Sequence, residues 1–329
     1  MTKHFLPRTT MSCSSERDLT AKREARLTNN SIPGQWVRGL LFASVLFLLG
    51  GIFLYQNQKF NDGKLHFIVC DVGQGDGILI RTSNGSDILI DGGPDDSILN
   101  CLQNHMPFWD RDIEVMMLTH PHADHLTGLI SVLKRYKVMH YVTENLKYNS
   151  LAYRKLQDVL AKNNLTAKFN FSGDRIDFAD KTSLLTIWPK GISLENQELQ
   201  DSQNLTKDNP SLDVNGFSLI ELLSYGNFKV LLTGDAGVLV EDKIANSIGK
   251  IDVLKVPHHG SKTGMSDLFL SEINPKLAII SVGAKNRYGH PAKIALDLLA
   301  KYNIKMLRTD KNGEVEVVSD GKSFKVYAN

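Results

Sequence analysis

The stretch Thr119-His120-Pro121-His122-Ala123-Asp124-His125-Leu126-Thr127-Gly128 packs four potential metal ligands into six positions. Just upstream, Glu114-Val115-Met116-Met117-Leu118 is an apolar run that reads as a short buried strand, and downstream Leu126, Leu129, Ile130 and Leu133 recur at helical spacing. The pattern predicts a strand-to-helix turn. On such a turn His120 and His122 alternate outward while Asp124 and His125 open the helix, so the four side chains can converge. Three imidazoles and a carboxylate form a donor set suited to zinc, with manganese as a second candidate. Without a cation, a buried cluster of this kind is costly in desolvation.

Later apolar runs repeat the design. Phe228–Thr233 leads into Gly234-Asp235, Ile251–Val256 into Pro257-His258-His259-Gly260, and Leu277–Val282 into a loop that reaches His290. Asp87–Ile90 ends in Asp91-Gly92-Gly93 in the same way. Ligand-type residues at the carboxyl ends of strands are where an α/β sheet leaves a crevice. The glycine loop Gly73-Gln74-Gly75-Asp76-Gly77 lacks dinucleotide-fingerprint spacing and is not followed by a helix, so a tight hairpin between the strands Leu65–Val72 and Gly77–Arg81 accounts for it.

With 329 residues, 42% of them apolar, the chain can bury a substantial core as one large domain with accessories. A formal net charge of +2 excludes the global basic character of a nucleic-acid coat. Cys13, Cys70 and Cys101 are too few and too irregular for a disulfide framework or a thiolate metal site, and unpaired structural thiols are expected.

Residues 1–35 are polar and aperiodic and read as a flexible cytoplasmic tail. Residues 36–55 form an uncharged apolar run, apart from Arg38 at its edge, flanked by Trp36 and Tyr55; this is a transmembrane helix near the short end of the roughly 17–25 residues a bilayer needs. Lys22, Arg23, Arg26 and Arg38 precede its apolar part, which predicts a cytoplasmic N-terminus and an extracellular domain. A linker over 56–63 and a single domain over 64–329 follow. Residues 190–215 are polar and read as a long surface loop at the site entrance.

With His120, His122, Asp124 and His125 in view, the chain resembles the metallo-β-lactamase superfamily, whose signature is HxHxDH. The resemblance implies an α/β fold, a four-layer αβ/βα sandwich, with the first two histidines on one metal ion, the Asp-His pair on a second and Asp235 bridging the two. At finer resolution the motifs Asp71-Val-Gly-Gln-Gly-Asp76, Leu89-Ile-Asp-Gly-Gly93, Leu231-Leu-Thr-Gly-Asp235, Val256-Pro-His-His-Gly-Ser261 and Tyr288-Gly-His-Pro291 resemble, in order, the C-terminal hydrolase part of ComEC-type competence proteins. The Lys255-Val-Pro-His-His259 segment is also similar to secreted phosphorylcholine esterases. That similarity implies a ligand role for His259, and makes His258 a phosphate contact or general acid.

Two departures qualify the resemblance. β-Lactamases and lactonases of the superfamily carry a further histidine ahead of the bridging aspartate, and Pro210–Asn215 has none. ComEC proteins add a many-helix channel, whereas this chain has one apolar span, so DNA transport does not carry over.

The expected chemistry is hydrolysis assisted by two divalent cations roughly 3.5–4 Å apart, with Asp91 orienting a ligand histidine and His290 a ligand or substrate contact. Lys285, Arg287, Lys293, Lys301, Lys305 and Arg308 face a single acidic residue of that stretch, Asp297, an excess that would draw in an anionic phosphodiester. DNA and a teichoic-acid-like wall polymer both qualify. A β-lactam, lactone or thioester hydrolase and a non-catalytic metal-stabilised surface module are the rival expectations. Nothing in the sequence fixes an oligomeric state.

Overall fold

The computed structural model describes residue 1 and residues 32–146, 148–191 and 214–328. Residues 2–31 of the tail expected over 1–35, Cys13 and most of the 190–215 loop therefore lie outside the described residues, whereas residues 32–35, expected as tail, are helical. The chain divides into two units, Met1–Lys59 and Phe60–Asn329.

In the first unit, helix α1 runs Ile32–Phe60, and its stretch from Gly34 is long and apolar enough to cross a bilayer. The helix outlasts the expected 36–55 span: residues 56–60, anticipated as linker, continue it, because nothing between Tyr55 and Phe60 is a helix breaker.

The second unit is built on two sheets. The strands of the first half are β1 Leu65–Val69, β2 Gly77–Arg81, β3 Asp87–Gly92, β4 Asp112–Leu118, β5 Lys137–Thr143 and β6 Ala167–Phe169. Interspersed helices are α2 Ile98–His105, α3 Ala123–Val132 and α4 Leu151–Lys162. The second half contributes β7 Arg175–Asp177, β8 Thr182–Trp188, β9 Ile220–Tyr225, β10 Phe228–Leu232, β11 Val253–Lys255, β12 Leu277–Ile280 and β13 Lys305–Arg308. Helices α5 Val238–Ile248, α6 Asp267–Ile273 and α7 Lys293–Lys301 accompany them, and the short α8 Thr309–Asn312 leads into the hairpin β14 Val315–Ser319 and β15 Phe324–Ala328. Among the described residues one sheet has the order β15-β14-β1-β2-β3-β4-β5-β6 and the other β13-β12-β11-β10-β9-β8-β7.

Strand alternation explains the layering. Phe67 and Val69 of β1, Val115 and Met117 of β4, and Val230 and Leu232 of β10 share the core between the sheets. Their neighbours Ile68, Met116 and Leu118 face α2, α3 and α4, while Leu231, Ala278 and Ile280 face α5, α6 and α7. The result is the expected four-layer αβ/βα sandwich.

Three features were not anticipated. β1 ends at Val69 rather than Val72, because past the cross-strand bond from Cys70 N–H to Gly77 O the chain turns, with Val72 N–H donating back to Cys70 O at 3.1 Å. The C-terminal hairpin adds to the sheet by pairing Leu65 with Ser319 and Val69 with Val315. Cys70 and Cys101, expected to be free thiols, form a disulfide that joins the exit of β1 to α2, with Cα atoms 5.8 Å apart. The odd cysteine count hid this pair; the fold brings the two together by laying α2 across β1.

Candidate metal centre

β3 and β4 run parallel in one sheet, and β10, β11 and β12 in the other. Their carboxyl ends deliver Asp91, the 119–125 turn, Asp235, the 257–260 turn and the 283–290 arm to one edge of the sandwich. Close packing there has a glycine requirement: a Cβ on Gly128 of α3 would stand 1.9 Å from Gly92 O. Only glycine lets α3, and with it Asp124 and His125, lie directly against the end of β3.

Each histidine of the centre is oriented by a specific acceptor. His125 Nδ1 lies 2.7 Å from Asp91 Oδ2 and donates to it, which leaves Nε2 as a lone-pair donor. Asp91 is itself held at φ 58° by Thr119, whose N–H and Oγ1 donate to its two oxygens at 2.8 and 2.7 Å. Since the Thr119 hydroxyl is spent on Asp91, it accepts from His120 Nδ1 at 3.1 Å, so His120 Nε2 is also free of its proton. His259 Nδ1 donates to Ser281 O at 3.0 Å.

The freed nitrogens meet the carboxylates. His125 Nε2 is 3.4 Å and His259 Nε2 3.5 Å from Asp235 Oδ1, and His259 Nε2 is 3.7 Å from Asp124 Oδ2. On the other side, Asp235 Oδ2 is 3.8 Å from His120 Nε2 and 3.7 Å from His258 Nε2, and His122 Nδ1 is 3.1 Å from His120 Nε2. His125 Nε2, His259 Nε2 and Asp235 Oδ1 are buried with no hydrogen-bond partner. Such a convergence of unsatisfied donors is what a divalent cation satisfies, so these residues fit a metal site. Two overlapping clusters, His120-His125-Asp235 and Asp124-His125-His259, each bring their ligand atoms within 4.8 Å of one another.

Backbone strain marks the same place. His258 and His259 adopt φ 47° and 54°, a left-handed conformation that costs non-glycine residues of order 1–3 kcal/mol each and persists only where the surroundings impose it. The kink turns His259 inward and leaves His258 at the wall of a cavity of about 370 Å³ over the centre, together with His122, Asp124 and Tyr288. His290, an expected ligand, is not in either cluster: it lines this cavity with its ring centroid 5.7 Å from that of His258.

The electrostatics divide the site. Burial pushes His120 well below its ordinary pKa and lowers His122, keeping both neutral. Burial acts in the same sense on His125 and His259, but the carboxylates of Asp235 and Asp91 for the first, and of Asp235 and Asp76 for the second, outweigh it. His125 rises well above the ordinary range and His259 to about 9. Asp124 falls to about 2, because His259 and His125 overcome its burial. In the protein alone, protons occupy the positions where a cation would sit.

Sequence reasoning missed one pair. Asp76 and Lys255 are both fully buried, and Lys255 Nζ contacts the Asp76 carboxylate and, at 3.4 Å, Gly234 O. Asp76 Oδ1 is 3.4 Å from His259 Nδ1, its N–H lies 3.3 Å from Asp124 O, and a Cβ on Gly75 would be 2.0 Å from that oxygen. The glycine loop, read as a plain hairpin, thus braces the Asp124 and His259 turns from below. The signal was present: Asp76 closes one matched motif and Lys255 precedes another.

Residues 86–270 match the family described as β-lactamase superfamily domain. The chain is 27% identical over 322 residues to ComE operon protein 3 of Bacillus subtilis, covering 92% of this chain and 38% of that protein. It is 31% identical over 251 residues to Recombination protein 2 of Haemophilus influenzae, covering 75% and 28%. It thus spans well under half the length of either relative. Among solved structures, the metallo-β-lactamase fold protein YhfI of Bacillus subtilis is similar at a TM-score of 0.48 and 11% identity, covering 74% of this chain and 96% of the other.

Proposed function

Because this chain belongs to the β-lactamase superfamily domain family, as a ComEC-like hydrolase domain with an N-terminal apolar helix, we propose that it is a membrane-anchored, metal-dependent phosphodiesterase acting outside the cell. The observation that carries the proposal is the meeting of His125 Nε2, His259 Nε2 and Asp235 Oδ1, buried and unsatisfied, beneath a cavity walled by His258. His120, His122 and Asp235 would hold one divalent ion and Asp124, His125, His259 and Asp235 a second, zinc first and manganese second. When bound, the ions supply Lewis acidity, making a water more acidic and offsetting charge on phosphoryl oxygens.

The chain's own residues do the rest. Asp91 and Ser281 O fix the tautomers of His125 and His259, so that neither ring turns its N–H toward the centre. Asp235 spreads its two oxygens toward different histidines and ties the two halves together. His258, 29% exposed and 3.7 Å from Asp235, is the side chain able to donate a proton to a departing oxygen. The buried Cys70–Cys101 disulfide supports an extracytoplasmic setting, since such bonds persist in oxidising compartments. DNA is the favoured substrate, in line with relatives whose names include a competence protein and a recombination protein; a wall-polymer diester is the second candidate.

The test is hydrolysis of bis-p-nitrophenyl phosphate and of DNA by the full chain in detergent with Zn²⁺ or Mn²⁺, beside Asp124→Ala and Asp235→Asn. Turnover lost in both variants is the expected result. Wild-type turnover equal to theirs, or hydrolysis of nitrocefin alone, would reject it.

A further inference from the structure

The six basic residues that sequence counting groups around His290 do not act together. Lys293 is paired with Asp297 at 2.5 Å, Lys301 with Asp267, and Arg308 with Asp310 at 2.6 Å. Lys305 lies level with Leu277 at the start of β12, the edge of the sheet away from the metal centre. Lys285 and Arg287 remain, exposed and with no carboxylate partner among the described residues.

Both stand on the arm between β12 and α7, and that arm is held rigidly. Asn286 donates to Gly283 O and His290 O, each at 2.8 Å, and accepts from His290 N–H at 3.0 Å. Gly283 N–H bonds to Gln74 Oε1 at 3.2 Å, which anchors the arm to the glycine loop. Lys285 and Arg287 line a second cavity of about 370 Å³, and its wall shares Gln74, Ala123, Asp124 and Tyr288 with the cavity over the metal centre. The two spaces adjoin along Asp124 and Tyr288. Tyr288 is 61% exposed and its ring lies nearly parallel to that of His290, 14° between planes and 5.8 Å between centroids.

We infer that the outer cavity is a second phosphate subsite, in which Lys285 and Arg287 hold the phosphate next to the one at the metal centre while Tyr288 stacks on a base of a single nucleic-acid strand. The inference rests on the phosphodiesterase reading and deepens it. Two unpaired cations beside a reactive centre suit the repeating charge of a polymer and add nothing for a small diester. An exposed aromatic ring, backed by a second ring, is a stacking platform that every base fits and that a glycerol- or ribitol-phosphate chain leaves unused. A duplex keeps its bases stacked on one another, so the platform requires a single strand.

The experiment uses the full chain in detergent, loaded with Zn²⁺, and a fluorescein-labelled twelve-nucleotide oligothymidylate with phosphorothioate linkages, titrated by anisotropy over a range of NaCl concentrations. For K285Q/R287Q, the slope of log K against log salt should become less negative by about 0.7, the value for one single-strand phosphate. Y288L should weaken binding by roughly 5- to 150-fold, the range of one lost base stack, and Y288F should retain it. For Y288L with cleavable substrate, the loss in kcat/KM on the oligonucleotide should exceed the loss on bis-p-nitrophenyl phosphate by about fivefold or more, the lower end of one lost base stack. An unchanged salt slope, or equal losses on both substrates, overturns the subsite. Competition by poly(glycerol phosphate) as strong as by oligonucleotide, with Y288L neutral, overturns the nucleic-acid assignment. If the wild type cuts neither substrate but the slope falls as stated, the phosphodiesterase reading fails and the subsite stands. Turnover of the small diester with an unaltered slope is the reverse case.

Discussion

Replacing Lys255 by methionine tests whether the pair beneath the metal centre is an interdependent unit. Lys255 is fully exposed to neither solvent nor sheet edge: its side chain is 1% accessible, as is that of Asp76. Burial drives Asp76 toward protonation, and Lys255, then His259, outweigh it and hold its pKa at about 2 against an ordinary 3.8. At 1.36 kcal/mol per unit, that depression is worth about 2 kcal/mol of preference for the charged form in the fold. Lys255→Met forfeits it and leaves a carboxylate in a dry site, for which truncated buried pairs lose about 3–5 kcal/mol. Asp76→Asn orphans the ammonium instead and should cost a similar amount. Asp76→Asn/Lys255→Met removes both charges at nearly constant volume, and should lose only about 1–2 kcal/mol, far less than the sum of the two single losses, which is the non-additivity expected of residues in contact. Urea denaturation of the full chain in detergent, followed by Trp109 and Trp188 fluorescence, measures the cycle. The pH dependence supplies a sign. A carboxyl whose folded pKa is depressed stabilises the fold above its unfolded pKa, and that contribution is lost as pH falls through the folded value. The Lys255→Met deficit should therefore shrink as pH is lowered from 7 toward 2. Strict additivity of the two single losses, or a deficit that ignores pH over that window, would refute the coupling.

Cys70→Ser/Cys101→Ser, or reduction by dithiothreitol, should lower stability by about 4 kcal/mol, the chain-entropy value for the separation of 31 residues, read in the same urea assay. Glu221, buried under the Thr186 hydroxyl at 2.7 Å, has its pKa raised by burial from 4.5 to about 8. The native state then binds the extra proton, so its stability should fall as pH rises from about 4.5 to 8 and level off above; Glu221→Gln should flatten that slope, an effect of up to about 5 kcal/mol. Because His259 carries a proton up to about pH 9 in the metal-free protein, zinc binding at pH 7 should release at least one proton and tighten as pH rises to that value. Calorimetry in two buffers of different ionisation enthalpy reads the release directly, and buffer-independent heats would contradict it. Gly128→Ala must push α3 away from Gly92, so a loss of zinc affinity with retained circular dichroism is expected.

How much of this was legible in the sequence depended on distance along the chain. His120, His122, Asp124 and His125 lie within six positions, and Asp91, Asp235 and the His258-His259 pair each follow an apolar run, so periodicity placed them at strand ends, while the family resemblance singled out His259 and gave Asp235 its bridging role. Asp76 and Lys255 are 179 residues apart, and neither the loop of one nor the strand of the other shows that they meet. The same is true of Cys70 with Cys101, and of β14, whose antiparallel pairing joins Val315 to Val69 across most of the domain. The basic residues went astray for the converse reason. Counting charge in a window of sequence ignores partners from elsewhere, and Asp267, which neutralises Lys301, is 34 residues upstream. Local patterns record the side chains that would touch a cation, whereas the charges that brace or cancel them are set by topology. His290 illustrates the boundary between the two: it follows an apolar run as the cluster members do, yet the Asn286-braced arm holds it on the cavity wall beside Tyr288, outside the clusters that Asp124, His125, His259 and Asp235 form.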